Sequence, residues 1–132
     1  MAPEVTTRLA AVGGLGLVAA GLTYVGLVDP HRPGALFPPC PFHLLTGWYC
    51  PGCGGLRMTH DLLHADLSAA ATDNIFLLVG LPLMLLWWLS RRQVGRPAVT
   101  PVVIVVAAVS VVAWTVIRNL PAFPLVPSLL GS

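Results

Sequence analysis

Three long stretches of this chain carry no charged side chain, and they leave little choice of fold. Residues 9–28 form a twenty-residue run without a charge, and residues 75–90 and 101–117 are two more. A helix that crosses about 30 Å of hydrocarbon needs roughly 20 such residues. In lipid, a lone span satisfies all of its backbone groups only as a helix, which overrides the weak helix preference of the valines in the third run. Only 9% of the 132 residues are charged, against roughly a quarter in soluble domains. A surface so poor in charge does not stay in water. The chain reads as one all-α integral membrane domain over residues 1–132, with transmembrane helices over about 9–28, 73–90 and 100–118. A signal peptide in place of the first span would have a shorter apolar region of roughly 7–15 residues and a small-residue cleavage site. Residues 24–29 offer no such site.

The polar chemistry is concentrated between the first two spans. Residues 29–54 read as a Cys/Pro/Gly-rich loop, where Pro30, Pro33, Pro38, Pro39 and Pro41 oppose helix and favour extended backbone. Residues 55–71 read as an interfacial amphipathic helix. Leu56, Leu63, Leu67 and Ala70 fall on one face, and Arg57, His60, Asp61, His64 and Ser68 on the other. Thr72 and Asp73 are capping residue types, so a fresh helix is expected to begin there. Pro82 should kink that second span. Trp87 and Trp88 suit the membrane–water boundary. Arg91, Arg92 and Arg96 follow in a turn, Arg118 and Asn119 end the third span, and Pro121, Pro124 and Pro127 mark an apolar tail.

Seven arginines stand against five acids, there is no lysine, and the arginines are scattered. That pattern offers no nucleic-acid surface. Arginine counting instead sets orientation in the bilayer. Arg8, Arg91, Arg92 and Arg96 share one side; Arg32, Arg57 and Arg118 share the other. The clustered turn is taken as cytoplasmic. The N-terminus is then inside, and the cysteine loop and C-terminus are outside, in a multi-pass plasma-membrane protein. Gly13, Gly14, Gly16, Ala20 and Gly21 thin one side of the first span. Such a surface invites close approach by a second copy or another membrane protein.

Cys40-x-x-His43 and Cys50-x-x-Cys53 are two short chelating pairs, and zinc takes four such ligands tetrahedrally. His60 and His64, spaced i, i+4, are alternative fourth ligands. On an oxidising side of the membrane, thiols close together pair as disulfides, and three cysteines leave one over. Cys50 and Cys53 can also be read as a redox pair. Cys53 lies close to the start of the predicted helix with Arg57 one turn on, and both features lower a thiol pKa. Arg57 with Asp61, and Asp61 with His64, have spacings for local pairing on a solvated face. Arg57 also suits donation to loop carbonyls or to an anion. An acid–base enzyme built on His60, His64, Asp61 and Asp66 ranks lower, because no nucleophile, phosphate loop or oxyanion arrangement accompanies them.

The segments CPFHLLTGWYCPGCGGLR, LLHADLSAAATDN and WTVIRNLP, between Cys40 and Pro121, resemble the domain-of-unknown-function 2752 family, small bacterial membrane proteins common in actinobacteria. The family pattern falls on Cys40, Pro41, Thr46, Gly47, Cys50, Pro51, Gly52, Cys53, Gly54, Arg57, Asp66 and Asn74. The family's glycine before the aspartate is Ala65 here, its usual alanine after the arginine is Met58, and the position of His43 is not restricted to histidine. The resemblance implies a site and no particular activity. The expected function is an accessory or interaction protein whose loop is a structural site, metal-bound or disulfide-held; a membrane thiol–disulfide oxidoreductase is the alternative. The orientation has a direct check. In a background with the native cysteines changed to serine, a membrane-impermeant maleimide should label Leu36→Cys in intact cells and leave Val94→Cys unlabelled; the reverse pattern refutes it.

Overall fold

The computed structural model describes residues 3–32 and 34–125. Pro33 and Pro127, read above as loop and tail prolines, lie outside the described residues. Five helices follow one another: α1 (Pro3–Leu27), α2 (Pro41–Thr46), α3 (Gly55–Leu63), α4 (Leu67–Gln93) and α5 (Pro101–Arg118). No strand occurs among the described residues. Glu4–Leu27, Leu67–Gln93 and Pro101–Arg118 are each long and apolar enough to cross a membrane. The protein is an all-helical membrane protein with three candidate spans.

Several boundaries differ from the sequence reading, each for a local reason. The polar start is already helical from Pro3, since a proline in the first turn lacks only an N–H that would be unpaired anyway. The loop contains a short helix, α2, because Pro41 occupies its first turn and tolerates that position. Gly47 ends α2 in the left-handed conformation at φ 72°, with its N–H donating to the His43 carbonyl at 2.8 Å. The amphipathic helix expected over 55–71 stops at Leu63. Ala65 then takes φ 60°, and Asp66 rather than Thr72 or Asp73 starts the next helix. The Asp66 carboxylate accepts from the Ala69 N–H at 3.0 Å and the Ser68 hydroxyl at 2.8 Å. Those bonds, the backbone one first, hold its pKa below the usual carboxylate value. The backbone of α4 leaves helical geometry at Asn74, with φ −161° and ψ 82°, while Pro82 stays inside the helix.

Helix α3 lies against α4 and α1. The α3–α4 contact is close at Gly55, where an added Cβ would sit 3.1 Å from Leu77 Cδ1. Val25, Met58 and Ala70 are buried at this end, together with Asp61, Asp73, Asn74 and Arg118. The interior beside the loop is therefore strongly polar, while most large apolar side chains of the spans face outward. Helix α5 is attached through rings: Phe76 stacks on Trp114 at 5.7 Å, and Phe123 meets Trp114 edge-on at 5.8 Å. At the opposite end, Trp87 Nε1 donates to the Ala98 carbonyl at 3.2 Å, and Arg91 and Arg92 lie over the rings of Trp87 and Trp88.

Ala65 tests the α3–α4 corner. A Cβ-bearing residue in the left-handed region costs roughly 1–2 kcal/mol that glycine does not. Ala65→Gly should raise the midpoint of thermal unfolding in detergent, and a lowered midpoint would show that the corner is not strained.

Candidate metal centre

The CPGC segment folds as consecutive tight turns. Cys53 N–H donates to the Cys50 carbonyl at 3.1 Å and Gly55 N–H to the Gly52 carbonyl at 3.0 Å. Gly54, at φ 81°, then leads the chain into α3; a residue with a Cβ would be strained there. Turns this tight point several carbonyls outward, and buried carbonyls need donors. Three residues far along the chain supply them. The Asn74 amide donates to the carbonyls of Pro51 and Cys53, both at 3.0 Å, and accepts from the Leu77 N–H at 3.0 Å. The break in α4 at Asn74 is what turns this side chain to the loop. Arg118, which is 1% exposed, donates to the carbonyls of Cys53 at 2.7 Å, Cys50 at 3.4 Å and Asp73 at 2.8 Å. Asn119 brackets Tyr49, accepting from its N–H at 2.9 Å and donating to its carbonyl at 3.0 Å.

Held in this way, the three cysteines converge. Cys50 Sγ lies 2.8 Å from Cys53 Sγ, and Cys40 Sγ lies 3.3 Å from Cys50 Sγ. All three sulfurs fall within 4.8 Å of one another. No pair stands at a disulfide bond length, and all three thiols are free. Four sulfurs on one zinc at about 2.3 Å lie roughly 3.8 Å apart, so a metal would spread the group by only about 1 Å. Burial opposes ionisation of Cys40, but the His43 amide and the other two thiols outweigh it and lower its pKa. Cys53 behaves oppositely. Burial, then the neighbouring thiols, push it up to about 12. The expectation that the helix start and Arg57 would make Cys53 acidic is therefore corrected; desolvation wins.

His43 is not among the group of three. Its ring stacks on Tyr49 at 5.0 Å, and its Nδ1 lies 3.2 Å from the Trp48 carbonyl. It does line, with Arg57 and the three cysteines, a cleft of about 520 Å³ beside the sulfurs. The guanidinium that reaches the carbonyls of Cys50 and Cys53 is that of Arg118. His60 and His64 belong elsewhere. The rings of this pair lie 4.3 Å apart, and both line a separate cleft with Asp29 and Arg32. Asp61 was read as part of a solvated face, yet it is buried, and burial raises its pKa. Sequence reading missed Arg118 and Asn119, which looked like an ordinary polar end to a span. The available signal was an Arg-Asn pair following an uncharged run, where a loop's carbonyls need donors.

Fold and site together define a small three-span helical membrane protein with a three-thiol centre at one end. Residues 40–88 match the model of the family described as Protein of unknown function (DUF2752), the family that the cysteine motif resembles. No curated protein and no solved structure matches the chain.

Hydrogen bonds from a charged donor contribute about 1.5–3 kcal/mol each, and stranding their buried acceptors adds to the loss. Arg118→Leu should therefore destabilise by about 3 kcal/mol or more and make the cysteines react faster with maleimide. Unchanged thermal unfolding and unchanged alkylation rates would remove Arg118 from this role.

Proposed function

We propose that Cys40, Cys50 and Cys53 bind one zinc ion as thiolates, and that this site makes the loop a rigid surface presented to another membrane protein outside the cytoplasm. The convergence of three sulfurs within 4.8 Å carries the reading. Soft thiolate donors select zinc over magnesium or calcium. The fourth ligand comes from the adjoining cleft, either His43 or a group from outside the chain. His60 and His64 face other partners and do not serve. When bound, zinc would supply positive charge that offsets the mutual repulsion of three crowded thiolates. The cysteine turn itself is already held by Asn74 and Arg118, so the metal's contribution is to lock Cys40, and with it α2, onto that turn.

The burial of Arg118 supports the outward placement of the loop, because an arginine engaged with carbonyls does not act as a free orienting charge. A Cβ added at Gly13, Gly14, Gly16 or Gly21 would meet nothing within 4 Å. That open face of α1 supports contact with a second copy or a partner helix.

Thiol–disulfide exchange through Cys50 and Cys53 is a second reading, favoured by the 2.8 Å sulfur contact. A thiol pushed up to about 12 makes Cys53 a poor attacking group, so in that reading Cys50 attacks and Cys53 resolves. One preparation separates the two. Protein purified in mild detergent without chelator should carry about one zinc per chain, lost in Cys40→Ser and Cys53→Ser. Absence of metal with three rapidly alkylated thiols would overturn the zinc reading. A mixed disulfide trapped in Cys53→Ser would establish exchange instead.

A further inference from the structure

A second donor cluster stands on the other side of Arg118, built from oxygen and nitrogen rather than sulfur. His31 follows α1, Asp61 is on α3 and Asp73 is on α4. His31 Nε2 lies 2.9 Å from Asp73 Oδ2 and 3.7 Å from Asp61 Oδ2. One ligand atom from each residue lies within 4.8 Å of the others. Asp61 is 8% exposed and Asp73 3%. Two carboxylates brought this close out of water repel each other, and a protonated His31 ring or a bound cation in its place offsets that repulsion. Asp61 Oδ2 is the sharper sign. It is fully enclosed, and among the described residues no hydrogen bond reaches it. A buried carboxylate oxygen left without a donor costs free energy, and a cation at this position would satisfy it.

The imidazole is prepared for such a role. His31 Nδ1 faces Asp29 Oδ1 at 3.0 Å, and the His31 backbone N–H donates to the same oxygen at 2.9 Å. A carboxylate on one ring nitrogen fixes the tautomer and turns the other nitrogen's lone pair to a metal. Asp29 also lies 3.8 Å from His60 Nε2, while His60 Nδ1 donates to the Val25 carbonyl at 2.7 Å. The Nδ1 of His60 is thus committed to Val25 rather than to the cluster.

We propose that His31 Nε2, Asp61 Oδ2 and Asp73 Oδ2 form a second metal site, specific for a divalent cation of the manganese, iron(II) or zinc class. One imidazole and two carboxylates suit those ions, whereas three thiolates do not suit manganese. The site ties the ends of α1, α3 and α4 together, and leaves coordination positions for water or a ligand. It does not depend on the zinc reading of the cysteines. Asp29 is a positioning residue, acting through the His31 ring.

Manganese is the probe that separates the two centres. Chelator-treated protein in detergent is titrated with Mn2+, and the free ion is followed by electron paramagnetic resonance. About one Mn2+ per chain should bind and raise the thermal midpoint. Asp61→Asn should abolish the binding and the upward shift. Its own midpoint in chelator should equal or exceed that of the unaltered protein, since one of two crowded charges is gone; this shows that the variant folds. Asp29→Asn should weaken binding by about 10–100-fold, the usual effect of removing an outer-shell carboxylate. Binding that persists unchanged in Asp61→Asn would overturn the proposal. So would failure of the unaltered protein to bind either Mn2+ or a second equivalent of Zn2+.

Discussion

A single guanidinium at the end of α5 organises the polar end of this protein. Arg118 is buried, and burying a cation is costly unless its hydrogens find acceptors. Its two terminal nitrogens find them in the backbone carbonyls of Cys50, Cys53 and Asp73. Its enclosed Nε has none among the described residues, and the rings of Tyr49 and Trp114 lie on its faces at 5.7 and 5.6 Å. A planar fork of donors is what makes this possible; a lysine ammonium is a compact point charge and does not match acceptors spread along two segments. The same group therefore closes α5 against the cysteine turn and against the start of α4. The turn can be as tight as CPGC requires because its outward carbonyls are received by Arg118 and Asn74.

Helices in lipid gain nothing from hiding apolar surface from one another, since lipid tails are equally apolar. Their association then rests on close packing and on polar contacts between them. This protein follows that logic closely. Its spans show most of their large side chains to the outside. They are joined largely through what lies between them. Helix α3 packs Gly55 against Leu77 of α4 and also lies against α1. The Asn74, Arg118 and Asn119 side chains hold the cysteine loop, and α4 and α5 meet directly at the Phe76–Trp114 stack and the Arg118–Asp73 bond. The polar interior is compact and the rest of the surface is left to lipid or to partners.

The two donor clusters differ in chemical softness, and Arg118 stands between them. Its contacts run to the carbonyls of the sulfur-bearing turn on one side and to the Asp73 carbonyl on the other. Burial, and then the neighbouring thiols, push the Cys53 pKa up to about 12, whereas that of Cys40 is lowered. At Asp61 burial, and then the nearby Asp73 charge, raise the carboxyl pKa. The fold gathers three thiols in one cluster and one imidazole with two carboxylates in the other.

Much was legible in the sequence by itself. Uncharged runs of near-spanning length dictate helices in lipid, because no other conformation pairs the backbone there. The cysteines announce themselves because sulfur is scarce and its spacing is local. Asp66 and Asn74 were marked as polar positions, and the glycine that the family pattern places at 65 is explained by the left-handed backbone of Ala65. Local sequence could not say that Arg118 and Asn119 reach back some seventy positions to the loop. Nor could it say that His31 meets Asp73 across forty-two positions, or that Asp61 faces inward. Periodicity assigns residues to the faces of one helix, but which face is buried depends on where other elements land. That was decided by the break at Asn74, the corner at Ala65 and the buried charge at the end of α5, and each exists only once the chain has closed on itself.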